Sequence, residues 1–225
     1  MKIGILLTGH PPEEIAEGER YDAYFKRLLG DEQFTYVTYS VVDNEYPPSP
    51  DAAEGWLITG SRHGAYEPHS WIPPLEQFIR DCYAAHVPMI GVCFGHQIIA
   101  QAMGGKVVKF DGGWSVGRTE YVIDGETAAI NAWHQDQVVE VPKGAQVIGS
   151  SDFCANAALL YDDRMLTIQP HPEYGDGFVN GLIEYRGKGM VDPALLDAAR
   201  KQMGKPSDRL AFAQRMRDFF QKERA

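Results

Sequence analysis

Short apolar runs alternate along this chain with longer amphipathic stretches, the pattern expected of βαβ units building a mostly parallel sheet. "KIGILL" (Lys2 to Leu7) reads as a buried strand, and the spacing in "EIAEGERYDAYFKRLLG" predicts one helix closed by Gly30. "FTYVTYSVV" is a second strand, rich in β-branched and aromatic residues. A Pro-rich loop leads to "GWLITGS", a short strand ending on Gly60 and Ser61. In "WIPPLEQFIRDCYAAHV", Ile72, Leu75, Phe78, Ile79 and Cys82 recur at helical spacing, so Cys82 is expected in the core. "PMIGVC" is the next strand, and "FGHQIIAQAMGG" follows at once as a helix that Gly104 and Gly105 stop.

From Lys106 the texture changes to short strand-like runs, "KVVKF", "RTEYVI", "QVIGSS", "NAALLYDD" and "RMLTIQPHP", separated by Gly, Asp and Pro. Antiparallel strands and hairpins extending the first sheet are expected here. The stretch 193–225 is polar and favours helix, with Leu210, Phe212, Met216 and Phe219 available to dock it. The expected organisation is a single domain over residues 1–225, with 193–225 as a helical extension packed on it.

Charge narrows the possible partners. A net charge of -10 without any Lys/Arg-rich block argues against nucleic acid and anionic membrane surfaces, leaving small neutral or zwitterionic ligands. The start "MKIGILLTGHPPEE" reads as a strand and not as a signal peptide, and no stretch has the length of a membrane span. Three widely spaced cysteines, Cys82, Cys93 and Cys154, fit reduced thiols in the cytoplasm better than a disulfide framework. Neither CxxC nor HExxH occurs, so the sequence announces no metal site and no cofactor. It assigns no oligomeric state.

Candidate chemistry begins at "GVCFGHQ", Gly91 to Gln97. A strand running into a helix through Gly-x-Cys-x-Gly is the cysteine counterpart of the Gly-x-Ser-x-Gly nucleophile elbow. Small neighbours at Gly91 and Gly95 permit the tight turn, and the helix N-terminus beyond it favours a thiolate. Taken alone, Cys93 reads equally as a buried strand-end thiol. "TIQPHPEY" weighs in for a nucleophile: His171 and Glu173, two residues apart, point the same way if the segment stays extended, giving a base and its orienting acceptor.

These blocks carry a resemblance. Gly-Val-Cys-Phe-Gly-His-Gln at 91–97, followed far downstream by Gln-Pro-His-Pro-Glu at 169–173, resembles the two signature blocks of the class I, triad-type glutamine amidotransferases. The resemblance implies a flavodoxin-like, three-layer α/β/α fold with a mixed, mainly parallel central sheet. It implies that Cys93 attacks the carboxamide of glutamine or a related γ-glutamyl compound, that His171 moves the proton, and that Glu173 orients the imidazole. The oxyanion would meet the backbone N–H groups of Gly60 and Phe94. Gln97 and Ser61 would contact substrate, as would Trp114, Ser115 and Val116 in "GWSVGRTEY". "WHQDQV" supplies a rival histidine, His134, beside Asp136; it reads as a structural or pocket-wall residue, and His96 as one packed under the elbow.

One loop departs from the synthase-type pattern. Where amidotransferases that feed synthetases read Gly-Gly-Pro, this chain reads Thr59-Gly60-Ser61 followed by "RHGAYE". That variant resembles the stand-alone branch of the family, which includes γ-glutamyl peptidases as well as lone amidotransferase chains of the GMP-synthase kind. Three functions follow: hydrolysis of glutamine, with any synthetase on a separate chain; hydrolysis of γ-glutamyl peptides; or non-catalytic binding on the same fold. The intact Cys93, His171 and Glu173 set weighs against the third.

Overall fold

A computed structural model describes residues 1–16 and 18–224. The first half runs β1 (Lys2–Leu7), α1 (Glu13–Ala16), α2 (Tyr21–Leu29), β2 (Thr35–Ser40), β3 (Gly55–Ile58), α3 (Ile72–Ala84), β4 (Met89–Val92) and α4 (Phe94–Ala102). The second half runs β5 (Lys106–Lys109), β6 (Ser115–Ile123), β7 (Glu126–His134), β8 (Asp136–Glu140), β9 (Ala145–Ser150), β10 (Ala158–Tyr161) and β11 (Met165–Ile168), then α5 (Asp176–Leu182), α6 (Pro193–Gln202) and α7 (Arg209–Gln221).

Nine of these strands form one mixed sheet in the order β2-β1-β3-β4-β11-β10-β9-β6-β7. From β2 through β11 the neighbours are parallel, and from β11 through β7 they are antiparallel. This is the three-layer α/β/α arrangement expected, with β11 as the junction between its halves. The antiparallel texture after Lys106 is present too, with β7 and β8 as further strands that the apolar pattern does not mark.

Side-chain alternation divides the interior into two cores. Ile3, Ile5, Leu57, Ile90, Val92, Leu166 and Ile168 face one side, where α2, α5, α6 and α7 add Phe25, Val179, Leu196, Phe212 and Phe220. Leu6, Trp56, Ile58, Met89 and Met165 face the other, against Leu75, Ile79 and Cys82 of α3 and Ile98 and Ile99 of α4. Cys82 is accordingly a core residue.

Three expectations need correction. The single helix from Glu14 to Gly30 is two helices, because Gly18 takes φ +82° and Arg20 an extended conformation, which together end one helix and start the next. The strand through Val42 stops at Ser40, where a 3₁₀ turn, Val41–Asp43, takes over. Leu210 does not dock α7: it is 63% exposed, and Phe220 joins Phe212 and Met216 in the core instead.

The tightest packing lies where α4 crosses the ends of β3 and β4. A methyl group on Gly91 would stand 2.5 Å from the Gly95 carbonyl, and one on Gly95 would stand 2.4 Å from the Ile58 carbonyl oxygen. Both contacts are backbone, which cannot swing aside, so Gly95→Ala is expected to cost about 2–3 kcal/mol or more of folding stability. Gly177, exposed within α5 with open space around it, gives the opposite expectation: Gly177→Ala should stabilise by about 0.5–1 kcal/mol through helix propensity and a restricted unfolded chain. Urea unfolding of the two variants checks both signs; a neutral Gly95→Ala would contradict the close approach.

Candidate active site

The parallel strands β1, β3, β4 and β11 are neighbours, and the residues that follow them gather at one edge of the sheet. Thr8 follows β1, Thr59 and Gly60 follow β3, Cys93 follows β4, and Gln169 to Glu173 follow β11. Ligand sites of open α/β sheets form at this carboxyl edge, because there the loops diverge and leave backbone groups free.

Cys93 sits between β4 and α4 with φ 54° and ψ -103°, a conformation costing an L residue on the order of 1–3 kcal/mol. Two hydrogen bonds hold it: its N–H donates to the Ile168 carbonyl at 2.9 Å, and its own carbonyl accepts from the Gln97 N–H at 3.1 Å. The turn is thus stapled to β11 on one side and to the first turn of α4 on the other. Phe94 opens that helix, so its N–H belongs to the group without intrahelical acceptors.

His171 and Glu173 are both buried, with imidazole Nδ1 2.7 Å from Glu173 Oε1. The pair does not form on an extended segment as the spacing suggested. The Tyr174 N–H donates to the His171 carbonyl at 3.2 Å, so the segment is a turn that brings the two side chains together. The His171 N–H donates to the Asn131 carbonyl on β7 at 2.8 Å, and Asn131 Nδ2 donates to the Tyr174 carbonyl at 3.0 Å. The Tyr174 ring lies flat on the imidazole, 3.9 Å between centroids with 5° between planes.

Cys93 completes the arrangement beside the same imidazole, whose proton it helps to hold. Burial alone would push His171 down. The charges of Glu173 and Cys93 and their hydrogen bonds outweigh it and raise the imidazole to about 10. A methyl group on Gly60 would stand 3.0 Å from His171 Cε1 and 3.8 Å from Cys93 Cβ, so the three residues meet at one point. The buried Thr8 hydroxyl lies 3.0 Å from both the Thr59 and Gly60 carbonyl oxygens. Because N–H and C=O oppose each other across a trans peptide, holding the Thr59 carbonyl turns the Gly60 N–H away from Thr8.

The other histidines of this region are electrically different. His134 is buried, with Nδ1 3.3 Å from the Asp136 carbonyl, and burial pushes its imidazole down to about 3. Burial also raises the Asp136 carboxyl, whose side-chain partner is Tyr66. His96 packs beneath the elbow against Thr167 Oγ1 at 2.8 Å and is likewise pushed to about 3. An imidazole between a thiol and a carboxylate has the geometry that nucleophilic cysteine chemistry needs, and His171 meets it.

The sequence candidates divide. Gly60, Cys93, Phe94, His171 and Glu173 come together. The buried Gln97 turns Nε2 inward, to the Asp136 carbonyl at 3.0 Å and Gln169 Oε1 at 3.2 Å. Ser61 Oγ accepts from the His63 N–H at 3.1 Å. Trp114 packs on Trp133 just before β6, Ser115 Oγ lies 3.4 Å from Thr119 Oγ1, and Val116 is a core residue. Thr8, Asn131 and Tyr174 join the site without being candidates from the sequence. Only Tyr174, an aromatic directly after the His-Pro-Glu run, left a signal in the sequence.

Among the described residues no helix is long and apolar enough to cross a membrane. Residues 32–178 match the family model "Glutamine amidotransferase class-I". The chain is 31% identical over 218 residues to γ-glutamyl peptidase 2 of Arabidopsis thaliana, covering 89% of this chain and 88% of that one. It is 32% identical over 157 residues to one subunit of the glutamine-hydrolyzing GMP synthase of Halobacterium salinarum, covering 65% of this chain and 80% of the relative. Among solved structures, a glutamine amido transferase from Methylobacillus flagellatus superposes with a TM-score of 0.75 at 23% identity, covering 97% of this chain and 92% of that one. Its likeness establishes the shared fold. With the family model covering residues 32–178, well over half of the chain, this protein belongs to the class-I glutamine amidotransferase family.

Proposed function

We propose that this protein hydrolyses γ-glutamyl amide bonds through a thioester on Cys93. The observation that carries the reading is the buried His171, held by Glu173 at 2.7 Å on Nδ1 and meeting the strained Cys93 beside Gly60. His171, raised to about 10, carries a proton before substrate arrives. The Cys93 sulfur attacks the γ-carbonyl carbon, and the oxyanion is met by the Gly60 and Phe94 N–H groups. The C–N bond breaks as His171 delivers its proton to the leaving amine. A water then gives a proton back to His171 while its oxygen attacks the thioester; glutamate leaves and the thiolate returns. Glu173 and the stacked Tyr174 fix the imidazole throughout, and Thr8 aims the Gly60 peptide. Gln97, its Nε2 engaged inside the protein, acts on substrate by positioning the elbow helix against Gln169.

For the donor, a γ-glutamyl peptide is the better-supported class. The relative named γ-glutamyl peptidase 2 aligns over 88% of its own length, and Thr59-Gly60-Ser61 departs from the synthase-type loop. The alternative, glutamine as donor with a separate synthetase chain, is favoured by the similarity to one subunit of a GMP synthase. Trp114, Ser115, Val116 and Ser61 are the candidate contacts for the donor's α-amino and carboxylate groups. Residues 1–225 act as one domain in this reading, inside the cytoplasm, with the helices of 193–225 anchored by Phe212, Met216 and Phe220.

Incubation with glutamine and with a series of γ-glutamyl dipeptides, measuring ammonia and free amine, tests the donor. Amine release from the peptides exceeding ammonia release from glutamine is expected; the reverse ranking would move the assignment to glutamine. Cys93→Ala should lower turnover by about a thousandfold or more with the fold retained, and undiminished turnover would refute the nucleophile.

The raised His171 also makes a pH prediction. A folded-state value of about 10 against 6.5 means that the folded chain binds this proton more tightly. The linked stability is complete below about pH 6.5 and is lost as pH rises through about 10. Glu173→Gln removes the carboxylate that supports the imidazolium. Its alkaline limb of kcat/KM should therefore move to lower pH, as should the His171 titration followed by NMR; coincident profiles would contradict the pairing.

A further inference from the structure

The loop that leaves Gly60 for α3 carries a second cluster of chemical side chains. His63 Nδ1 lies 3.4 Å from Glu67 Oε2, and His69 Nε2 lies 2.7 Å from the same oxygen. The three donor atoms all fall within 4.8 Å of one another. Two imidazoles and one carboxylate form the donor set of open, three-ligand zinc sites. Metal–ligand bonds of about 2.0–2.1 Å separate neighbouring tetrahedral ligands by about 3.4 Å. The His63 to Glu67 separation already matches, and the His69 contact needs to open by about 0.7 Å.

The loop holds these side chains in orientation. The His69 ring stacks on Trp71 at 5.9 Å with 13° between planes, and the His63 ring stands edge-on to His69 at 4.3 Å. The Glu67 N–H donates to the Gly64 carbonyl at 3.0 Å, the Ile72 N–H to the His69 carbonyl at 3.1 Å, and Gln101 Nε2 to the Ala65 carbonyl at 2.7 Å. Tyr46 donates its hydroxyl hydrogen to the Trp71 carbonyl at 2.6 Å. The side chains of His63, Glu67 and His69 retain 21%, 39% and 34% exposure, which leaves a side open for water or another ligand. Arg62 adds a nearby positive charge that the carboxylate offsets.

We infer that His63, Glu67 and His69 bind one divalent transition-metal ion of the zinc class. Imidazole nitrogen selects that class over magnesium and calcium, which prefer oxygen ligands. The site is distinct from Cys93, His171 and Glu173, although its loop begins at Gly60 and ends at Trp71, whose ring lies 5.4 Å from that of Phe94. A bound ion would therefore clasp the loop that carries the oxyanion donor. The sequence sign is His-x3-Glu-x-His, a spacing outside the common metal motifs.

The test does not depend on turnover. Chelator-treated full-length protein is titrated with cobalt(II), an optical stand-in for zinc, and zinc is measured by equilibrium dialysis. Both are repeated in Cys93→Ser, because a thiolate is itself a zinc ligand. One equivalent per chain is expected in both proteins, with the visible bands of cobalt below six-coordination. Glu67→Gln and His63→Ala should each weaken binding about tenfold or more, with circular dichroism verifying the fold. Absent uptake would mean that Glu67 merely shares protons with two imidazoles, and it would overturn the inference. Uptake indifferent to the loop substitutions, or removed by Cys93→Ser alone, would overturn it too.

Discussion

The contact on which this structure depends is the backbone-to-backbone approach of α4 onto the ends of β3 and β4. Gly95 lies against the Ile58 carbonyl and Gly91 against Gly95, with no room for a side-chain carbon at either position. That approach sets the helix directly beyond the strand and forces the intervening residue, Cys93, into its positive-φ turn. The hydrogen bond from Cys93 to Ile168 then couples the turn to β11, whose end leads into His171 and Glu173. Loosen the glycine contact, and both the sulfur's position and the register that brings the imidazole to it are lost.

Charge is distributed by neighbours and not by burial alone. His96, His134 and His171 are all buried, yet the first two are pushed down to about 3 while the third is raised to about 10. Backbone carbonyls and a hydroxyl flank the first two. Of the three, only His171 has a carboxylate on one nitrogen and a cysteine beside its ring, and together these outweigh the desolvation that neutralises the others. Electrostatics and position both support His171 over His134 as the base in the proposed mechanism.

Features written in contiguous residues were legible in the sequence. The elbow at Gly91 to Gln97, the core face of α3 and the strand leading to Gln169 follow from local spacing. Geometry that depends on turns is less legible. The two-residue spacing of His171 and Glu173 points to a pair on an extended segment, whereas a turn brings them together. Gly18 divides a helix whose apolar periodicity runs through it, since periodicity does not report a positive φ. Thr8 and Asn131 act through contacts with residues far away in the chain, and no local pattern marks such contacts. In α7 the spacing admits either Leu210 or Phe220 as a docking residue, and only the packed helix discriminates between them.

The central claim is a covalent intermediate on one sulfur, and the most direct measurement is mass mapping of acid-quenched turnover mixtures. Peptides spanning Cys93 are analysed across the first turnovers with a γ-glutamyl donor in excess. The expected result is a γ-glutamyl group on Cys93 that forms and decays in step with product. Product formation without any adduct on Cys93, or an adduct confined to another residue, would contradict it.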